Sequence, residues 1–293
     1  MKIGIVTRLV VERNKKHPFF ATTEGEKWIS NALELAVLTC IPSVENLGIK
    51  PTYWFILVDS TLQSALVKKI YDTFSSGTSV PIRMVFTDGW SNSSQALKSN
   101  FLAEKCTIQV RLDYDDMLHK SFVEVVVKES ALLPGEKCVI SPTNGICREL
   151  IPQRFAQISK KMPPFLALYR SRNSEEMSIF TYDHDKWPLH LVHELRTIPL
   201  WVQTITGKNI ANRFGRGWNV ESIRHLKRLN MEAWTGESRE LTTSTSFVRL
   251  INCAEIVRDF AHNIYEPLRG GRNWCTEFLD PMSKNREEMG IGK

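Results

Sequence analysis

Apolar residues in the first part of the chain fall into short runs that are separated by segments with helical spacing. Short, mostly apolar runs are typical of parallel strands covered on both faces. They predict strands at 3–6, 53–58, 82–86 and 107–112. Between them, apolar residues recur with helical spacing, which predicts helices at 28–37, 62–71 and 94–104. This alternation predicts an α/β fold with a mostly parallel sheet and helices on both faces.

Beyond residue 122 the pattern is less regular. The pair Asn144-Gly145 lies between apolar runs at 138–141 and 146–150, and predicts a β-hairpin. Further strands are predicted at 164–170, 177–181 and 200–205, and helices at 221–229 and 247–264. We find no internal repeat and no linker, so we expect the second half to pack on the first.

Composition supports a folded chain with a large core. Of the 293 residues, 42% are hydrophobic and 24% are charged, which excludes the disordered, collagen-like and coiled-coil classes. The formal net charge of +6 suits a polyanionic ligand, but many ordinary basic enzymes share it. Six scattered cysteines without a C-x-x-C pair favour reduced, buried thiols. Because no signal peptide and no run of about 18 apolar residues is found, we expect a cytoplasmic protein without a membrane span.

Polar residues cluster where the predicted strands end, which is where parallel sheets bind their ligands. Three carboxylates, those of Asp113, Asp115 and Asp116, lie within four residues after the fourth strand. Their mutual repulsion is commonly offset by a divalent cation such as Mg²⁺ or Mn²⁺, which would in turn recruit a diphosphate. The alternative is an acidic turn that faces solvent.

Other strand ends carry less specific signals. Asp59 could cap a helix or read the base or ribose of a nucleotide, and Arg8, after Thr7, could pair with a core carboxylate or approach a phosphate. Neither a P-loop nor a dinucleotide-binding glycine motif is present.

A second polar cluster, Asp183-His184-Asp185, could supply a general base, a further metal ligand or only a polar turn. The basic stretch at 224–228 could be a solvated helix face or a contact for phosphate or nucleic acid. The chain has no G-x-S-x-G motif and no cysteine beside a local histidine, which argues against covalent hydrolase chemistry.

The segment Arg111-Leu112-Asp113-Tyr114-Asp115-Asp116 resembles the R-L-D-x-D-D segment of the rhamnosyltransferase family of GT-A glycosyltransferases. Segments at 5–8, 38–44, 54–59, 164–168 and 199–212 are similar to other blocks of that family, including a W-x-Q…G-x-N-x-x-N pattern. The resemblance covers roughly residues 1–215. Thr206 stands where the family has a histidine, so a metal or phosphate ligand is either missing or supplied by His184.

The resemblance implies a GT-A-like, Rossmann-type, mostly parallel sheet flanked by helices, with a mixed C-terminal extension. The implied transferase domain spans 1–215, with a nucleotide-sugar half at about 1–120 and an acceptor half at about 121–215. A mainly helical extension over 216–293 would pack on this domain.

The resemblance also implies a metal-dependent transferase of hexosyl or pentosyl groups. It would move a sugar from a nucleoside diphosphate sugar to a hydroxyl acceptor, which is a glycan or a nucleic acid. Asp113, Asp115 and Asp116 would hold Mn²⁺ or Mg²⁺, which acts as a Lewis acid on the diphosphate. The residues expected to bind the nucleotide sugar are Thr7, Arg8, Asp59, Arg111, Asp113 and Asn209, and the base is expected among Asp183, His184 and Asp185.

A reading from a different functional class fits the basic charge of the chain. The protein could bind nucleic acid through its arginine-rich segments, with the acidic cluster incidental, or act as a metal-dependent phosphodiesterase on nucleic acid. Salt-sensitive binding to DNA without affinity for nucleotide sugars would favour this alternative.

Overall fold

The structure is a computed structural model that describes residues 1–12, 19–134, 137–151, 153–170, 177–206 and 222–243. The described chain up to Thr242 is one compact unit. Its strands are β1 (Ile3–Val10), β2 (Tyr53–Asp59), β3 (Ile82–Thr87), β4 (Ile108–Arg111), β5 (Met117–Leu118), β6 (Val139–Pro142), β7 (Asn144–Glu149), β8 (Arg154–Ser159), β9 (Ala167–Tyr169), β10 (Val192–Leu195), β11 (Trp201–Ile205), β12 (Ser222–Leu226), β13 (Arg228–Asn230) and β14 (Glu240–Thr242). Its helices are α1 (Thr23–Leu38), α2 (Cys40–Glu45), α3 (Ser64–Gly77), α4 (Ser93–Ala103), α5 (Phe122–Ser130) and α6 (Glu232–Thr235).

Within these ranges, seven strands form the larger sheet, in the order β10-β6-β9-β4-β1-β2-β3. β1 pairs in parallel with β2 and β4, and β2 pairs in parallel with β3. Only β9 runs antiparallel to its neighbours, β4 and β6. The predicted α/β fold with a mostly parallel sheet is therefore confirmed.

The continuous apolar run of β2 is explained by cover on both of its faces. Trp54 is fully buried in the main core and packs edge-on against Phe74 of α3, with ring centroids 4.9 Å apart. Phe55, the next residue, points into a second core cluster and lies 4.3 Å from the Phe101 ring of α4. Helices on both sides thus protect the sheet from water, as the sequence predicts.

A smaller sheet has the order β12-β8-β7-β11-β5 within the described ranges. The hairpin predicted at Asn144-Gly145 is wrong, because β6 belongs to the larger sheet and β7 pairs with β8 and β11. Both residues of the predicted turn lie inside β7. The glycine serves packing instead, since a Cβ at Gly145 would lie 2.1–2.3 Å from the indole atoms of Trp201.

We expect Gly145→Ala to lower the free energy of unfolding by about 1–3 kcal/mol, since overpacking a tight core forces neighbouring groups to shift. Urea unfolding would measure the loss. Gly48→Ala is the matched control, because a Cβ there meets only the Lys120 carbonyl oxygen at 3.4 Å, an ordinary contact. Equal stability of the two variants would contradict the packing explanation.

Two other predicted elements differ from the structure. Residues 177–181 form a turn, not a strand, and the predicted helix at 221–229 is wrong because 222–230 hold β12 and β13. β12 completes the edge of β8 in antiparallel register, so its hydrogen-bond partners are distant in sequence. The helix predicted at 247–264 lies outside the described residues.

Four cysteines in the described ranges, Cys40, Cys106, Cys138 and Cys147, are buried and free, which agrees with the expected reduced thiols. None of the helices in these ranges combines the length and apolar character needed to cross a membrane.

Candidate functional site

The carboxyl ends of β1 and β4 bring two arginines to one edge of the larger sheet. In the parallel register of these strands, Val6 lies beside Arg111, and Arg8 follows two residues later on β1. Both arginines line a pocket of about 320 Å³. The other residues that line it are Trp90, Ser91, Phe180, Thr181, Tyr182, Asp183 and Lys186. The pocket therefore lies where parallel α/β sheets bind their ligands.

Aromatic rings lie against both guanidinium groups. The Cζ atom of Arg8 is 3.0 Å from the ring centre of Trp90 and 4.5 Å from that of Phe180. The Cζ atom of Arg111 is 5.5 Å from the ring centre of the same Phe180. We call Trp90, Arg8, Phe180 and Arg111 the arginine stack. Such contacts use the face of a guanidinium, whereas its N–H groups radiate in its plane.

A network of hydroxyl and amide groups fixes the turn that carries Phe180. The Ser178 N–H donates to Thr181 Oγ1 at 2.8 Å, and the Thr181 N–H donates to the Ser178 carbonyl at 2.9 Å. The Ile179 N–H donates to Oε1 of Gln109 on β4 at 2.9 Å. These bonds explain why an apolar segment that resembles a strand folds as a turn over the end of β4.

Asp59 helps to hold the loop that carries Trp90. Its Oδ1 accepts from the N–H and the hydroxyl of Thr61, and its Oδ2 accepts from the Glu12 N–H at 3.3 Å. The Glu12 carbonyl in turn accepts from the Trp90 N–H at 2.9 Å, just after Gly89 with its positive φ of 81°. Asp59 is only 3% exposed, so the structure places it behind the loops and not in the pocket.

Thr7 likewise has a structural position. It is fully buried, its hydroxyl donates to the Leu112 carbonyl at 2.8 Å, and its Oγ1 accepts from Trp54 Nε1 at 3.0 Å. Thr7 of β1 therefore links Trp54 of β2 to Leu112, the residue after β4, and does not line the pocket.

Asp113 forms a bidentate ion pair with Arg111 of the arginine stack. Its two carboxylate oxygens accept from Nε and Nη2 of Arg111 at 3.3 and 3.2 Å. Burial would raise the pKa of Asp113, but the charge and hydrogen bonds of Arg111, helped by Arg8 and His184, hold that pKa below its usual value. Asp113 is therefore ionised and fixes the plane of the Arg111 guanidinium.

The two acids that follow are more deeply buried. Asp115 is 7% exposed and Asp116 is 3% exposed. Burial, together with the charges of Asp115 and Asp113, raises the pKa of Asp116 well above its usual value. Oδ1 of Asp116 accepts from the Thr204 N–H of β11 at 2.7 Å, so this carboxyl also joins the acidic segment to the smaller sheet.

In the described ranges, no three His, Cys, Asp or Glu side chains are arranged to hold one metal ion. Both oxygens of Asp113 already accept from Arg111, and Asp116 accepts from Thr204. These contacts do not fit a Mn²⁺ or Mg²⁺ ion held jointly by Asp113, Asp115 and Asp116. The metal assignment stays a prediction from the sequence.

The segment 183–185 reaches the same edge of the sheet. Asp183 lines the pocket and forms an ion pair with Lys186 at 2.8 Å, which lowers the pKa of its carboxyl. His184 is half-buried, and Asp185 is exposed. Burial, followed by the charges of Arg111 and Lys160, lowers the pKa of His184 to about 4. His184 is therefore neutral at physiological pH.

The pKa of His184 makes stability depend on pH. Its ordinary pKa of 6.5 falls to about 4 in the fold, so the unfolded chain binds more protons between these values and stability falls as pH falls. From about pH 7 to about pH 4.5 this group should cost the native state about 2 kcal/mol. Urea unfolding of the wild type and His184→Gln at both pH values isolates the contribution. A difference between the two proteins that does not change with pH would contradict it.

The sequence does not predict several residues of the site. They are Trp90, Ser91, Phe180, Thr181, Tyr182 and Lys186 of the pocket lining, and Lys160, whose charge helps to lower the pKa of His184. Trp90 follows β3 as Asp113 follows β4, so its position just after a strand is the signal that could have identified it. Phe180 lies in the apolar segment 177–181, which predicts a strand and does not indicate a site residue. Lys160 follows β8, and burial lowers its pKa against the charges of Asp185, Cys147 and Asp116. The predicted donor-binding residue Asn209 lies outside the described residues.

Comparisons with known proteins return structural matches only. No family model and no curated protein matches the chain. Residues 1–349 of Staphylococcus aureus TarS, crystallised in complex with UDP, match with a TM-score of 0.39 and 8% identity, over 70% of this chain and 61% of that one. A cytidylyltransferase from Leptospira borgpetersenii matches with a TM-score of 0.38 and 12% identity, over 67% of this chain and 75% of that one.

Mycobacterium tuberculosis glucosyl-3-phosphoglycerate synthase matches with a TM-score of 0.35 and 10% identity, over 68% of this chain and 71% of that one. The chain spans about three fifths of the TarS fragment it matches. Structural similarity with TM-scores below 0.5 gives no evidence about activity.

Proposed function

We propose that the protein is a glycosyltransferase that moves a sugar from a nucleoside diphosphate sugar to a hydroxyl acceptor. The observation that carries the proposal is the arginine stack, which lines a pocket at the carboxyl edge of a mostly parallel sheet beside Asp113. Arginine suits phosphate because its fork of N–H donors matches phosphate oxygens. Aromatic surface from Phe180 and Tyr182 suits a base or a sugar ring.

The pocket residues can support both halves of the transfer. The bond between the anomeric carbon and the diphosphate oxygen breaks, and its electron pair leaves with the diphosphate. Arg8 and Arg111 stabilise that negative charge. The acceptor oxygen bonds to the anomeric carbon and gives its proton to a base. Asp183 is the proposed base for an inverting transfer, because it lines the pocket where His184 and Asp185 do not.

We also propose the chemical class of the donor and of the acceptor. They are a hexosyl or pentosyl donor and a glycan or nucleic acid as the hydroxyl acceptor. The resemblance of the acidic segment to the rhamnosyltransferase family supports them.

Thermal unfolding with a panel of nucleoside diphosphates and nucleotide sugars tests the proposal, because a ligand that binds only the native state raises its stability. Each compound is assayed with Mn²⁺ and with EDTA. We expect one nucleoside diphosphate and its sugar to raise Tm by several degrees. The absence of any shift across the panel would overturn the proposed function.

The nucleic-acid alternative has one structural observation in its favour. Arg224, Lys227 and Arg228 are exposed on and beside β12 and β13, although Arg228 forms an ion pair with Glu240 at 3.3 Å. Fluorescence anisotropy with labelled DNA and RNA over a salt series tests it. Strong, salt-dependent binding together with a silent nucleotide panel would replace the transferase proposal.

A further inference from the structure

We infer that the arginine stack holds the diphosphate of the donor directly, so that the protein binds this diphosphate without a divalent cation. The inference rests on the proposed function, which it deepens by assigning the phosphate contacts. It departs from the metal dependence that the acidic segment predicts.

The charges that line the pocket favour a dianion. Lys186 and Asp183 are paired at 2.8 Å and largely cancel one another. Arg8 and Arg111 also line the pocket, and Asp183 is the one acidic residue among the lining residues that the structure describes. Asp113 pairs with Arg111 and so balances part of its positive charge. Two arginine side chains on one pocket lining suit an anionic group such as a diphosphate.

The stack also presents its cations in a fixed arrangement. Both guanidinium groups lie over the Phe180 ring, whose centre is 4.5 Å from Cζ of Arg8 and 5.5 Å from Cζ of Arg111. Arg111 uses two of its five N–H donors on Asp113, which fixes the guanidinium plane and leaves the other N–H groups for a ligand. Pre-organised arginines lose little side-chain entropy when they bind an anion.

A divalent cation would meet an obstacle at Asp113. Both oxygens of this carboxylate lie 3.2–3.3 Å from nitrogen atoms of Arg111. A metal ion bound to the same oxygens would lie beside the guanidinium, and the two positive charges would repel one another strongly in a half-buried site. Metal binding at these oxygens would therefore compete with the Arg111–Asp113 pair and weaken it.

Isothermal titration calorimetry on the full chain tests the inference. The probes are UDP, GDP, CDP and ADP, together with inorganic pyrophosphate, each titrated in EDTA and again in Mn²⁺. We expect the preferred nucleoside diphosphate to bind in EDTA with a Kd within about threefold of its Kd in Mn²⁺. Arg8→Gln and Arg111→Gln should each raise the Kd in EDTA by about tenfold or more, the usual effect of losing a charge-assisted hydrogen bond.

Two further variants separate binding from folding. Arg83→Gln is the matched control, because Arg83 also lies over an aromatic ring, 4.8 Å from that of Tyr53, and pairs with Glu104 at 3.0 Å, but near the amino end of β3. It should leave the Kd unchanged. Phe180→Leu keeps both positive charges but removes the shared ring, and should weaken binding even if Arg111→Gln fails to fold.

The outcomes distinguish the inference from the function. Binding that appears only in Mn²⁺, or that is unaffected by Arg8→Gln and Phe180→Leu, overturns the inference and leaves the transferase proposal standing. Tight pyrophosphate binding in EDTA without any nucleotide binding supports the role of the stack and overturns the proposed function. No binding of any probe in either condition overturns both.

Discussion

Replacing Trp201 by alanine is expected to lower the free energy of unfolding by about 3–5 kcal/mol, the usual cost of truncating a fully buried tryptophan. Trp201 of β11 is completely buried, and its ring stacks on Phe165 at 4.8 Å between centroids. Its Nε1 donates at 2.7 Å to the Pro142 carbonyl of β6. Since β6 and β11 belong to different sheets, this side chain joins the larger sheet to the smaller one.

Urea unfolding measures the loss, and two variants show its cause. Trp201→Phe keeps most of the apolar contact but not the N–H donor, so it should cost about 1–2 kcal/mol. Trp90→Ala removes a tryptophan that is only half-buried, and should change stability by less than about 1 kcal/mol while weakening nucleotide binding. A loss at Trp201 no larger than at Trp90 would show that the contact between the sheets contributes little.

The part of the fold that sequence reasoning predicts is the part whose burial follows a local pattern. The run 53–58 predicts β2 to within one residue, because all residues of this strand after Tyr53 are buried. Asn144-Gly145 misleads for the opposite reason. The pair is a strong local turn signal, yet Gly145 is needed for the close approach of Trp201, which is 56 positions further along the chain by the numbering. Contacts between distant segments decide such positions, and a local pattern does not contain them.

In the candidate site, too, the sequence pattern predicts some positions and not others. The positions of Arg8, Arg111 and Asp113 at one edge follow from the strand pattern, because parallel neighbours end together. The stack itself does not follow, since it depends on a turn near residue 180 that β4 holds through Gln109. The same limit applies to Asp59, a strand-end carboxylate whose hydrogen bonds go to the loops behind the pocket.

The two ion pairs at the pocket give Asp113 and Asp183 different roles. Arg111 is oriented by Asp113, whereas Lys186 pairs with Asp183, so each carboxylate is coupled to one cation. Both carboxylate oxygens of Asp113 accept from Arg111, and Asp113 is not among the residues that line the pocket. Asp183 is exposed on the pocket lining, where a bound hydroxyl could reach it.

Replacing Asp183 by asparagine should therefore lower kcat by about 10²–10⁴-fold, the usual contribution of a general base, while the KM for the donor changes little. Steady-state kinetics with the nucleotide sugar identified by thermal unfolding would measure both constants. His184→Gln and Asp185→Asn are the controls from the same segment, and each should keep kcat within about tenfold of the wild type. Asp183→Asn with near-normal kcat would remove this residue from the mechanism.

Lys186→Gln tests whether Asp183 is the base or has only a structural role. The hydrogen bond and charge of Lys186 lower the pKa of Asp183, so removing them raises that pKa. Because the base must be ionised, the acid limb of the kcat/KM profile should move to higher pH in Lys186→Gln. Exposure of this ion pair keeps its effect on stability small, so the fold should persist. An acid limb that stays in place, or moves to lower pH, would show that a different group accepts the proton.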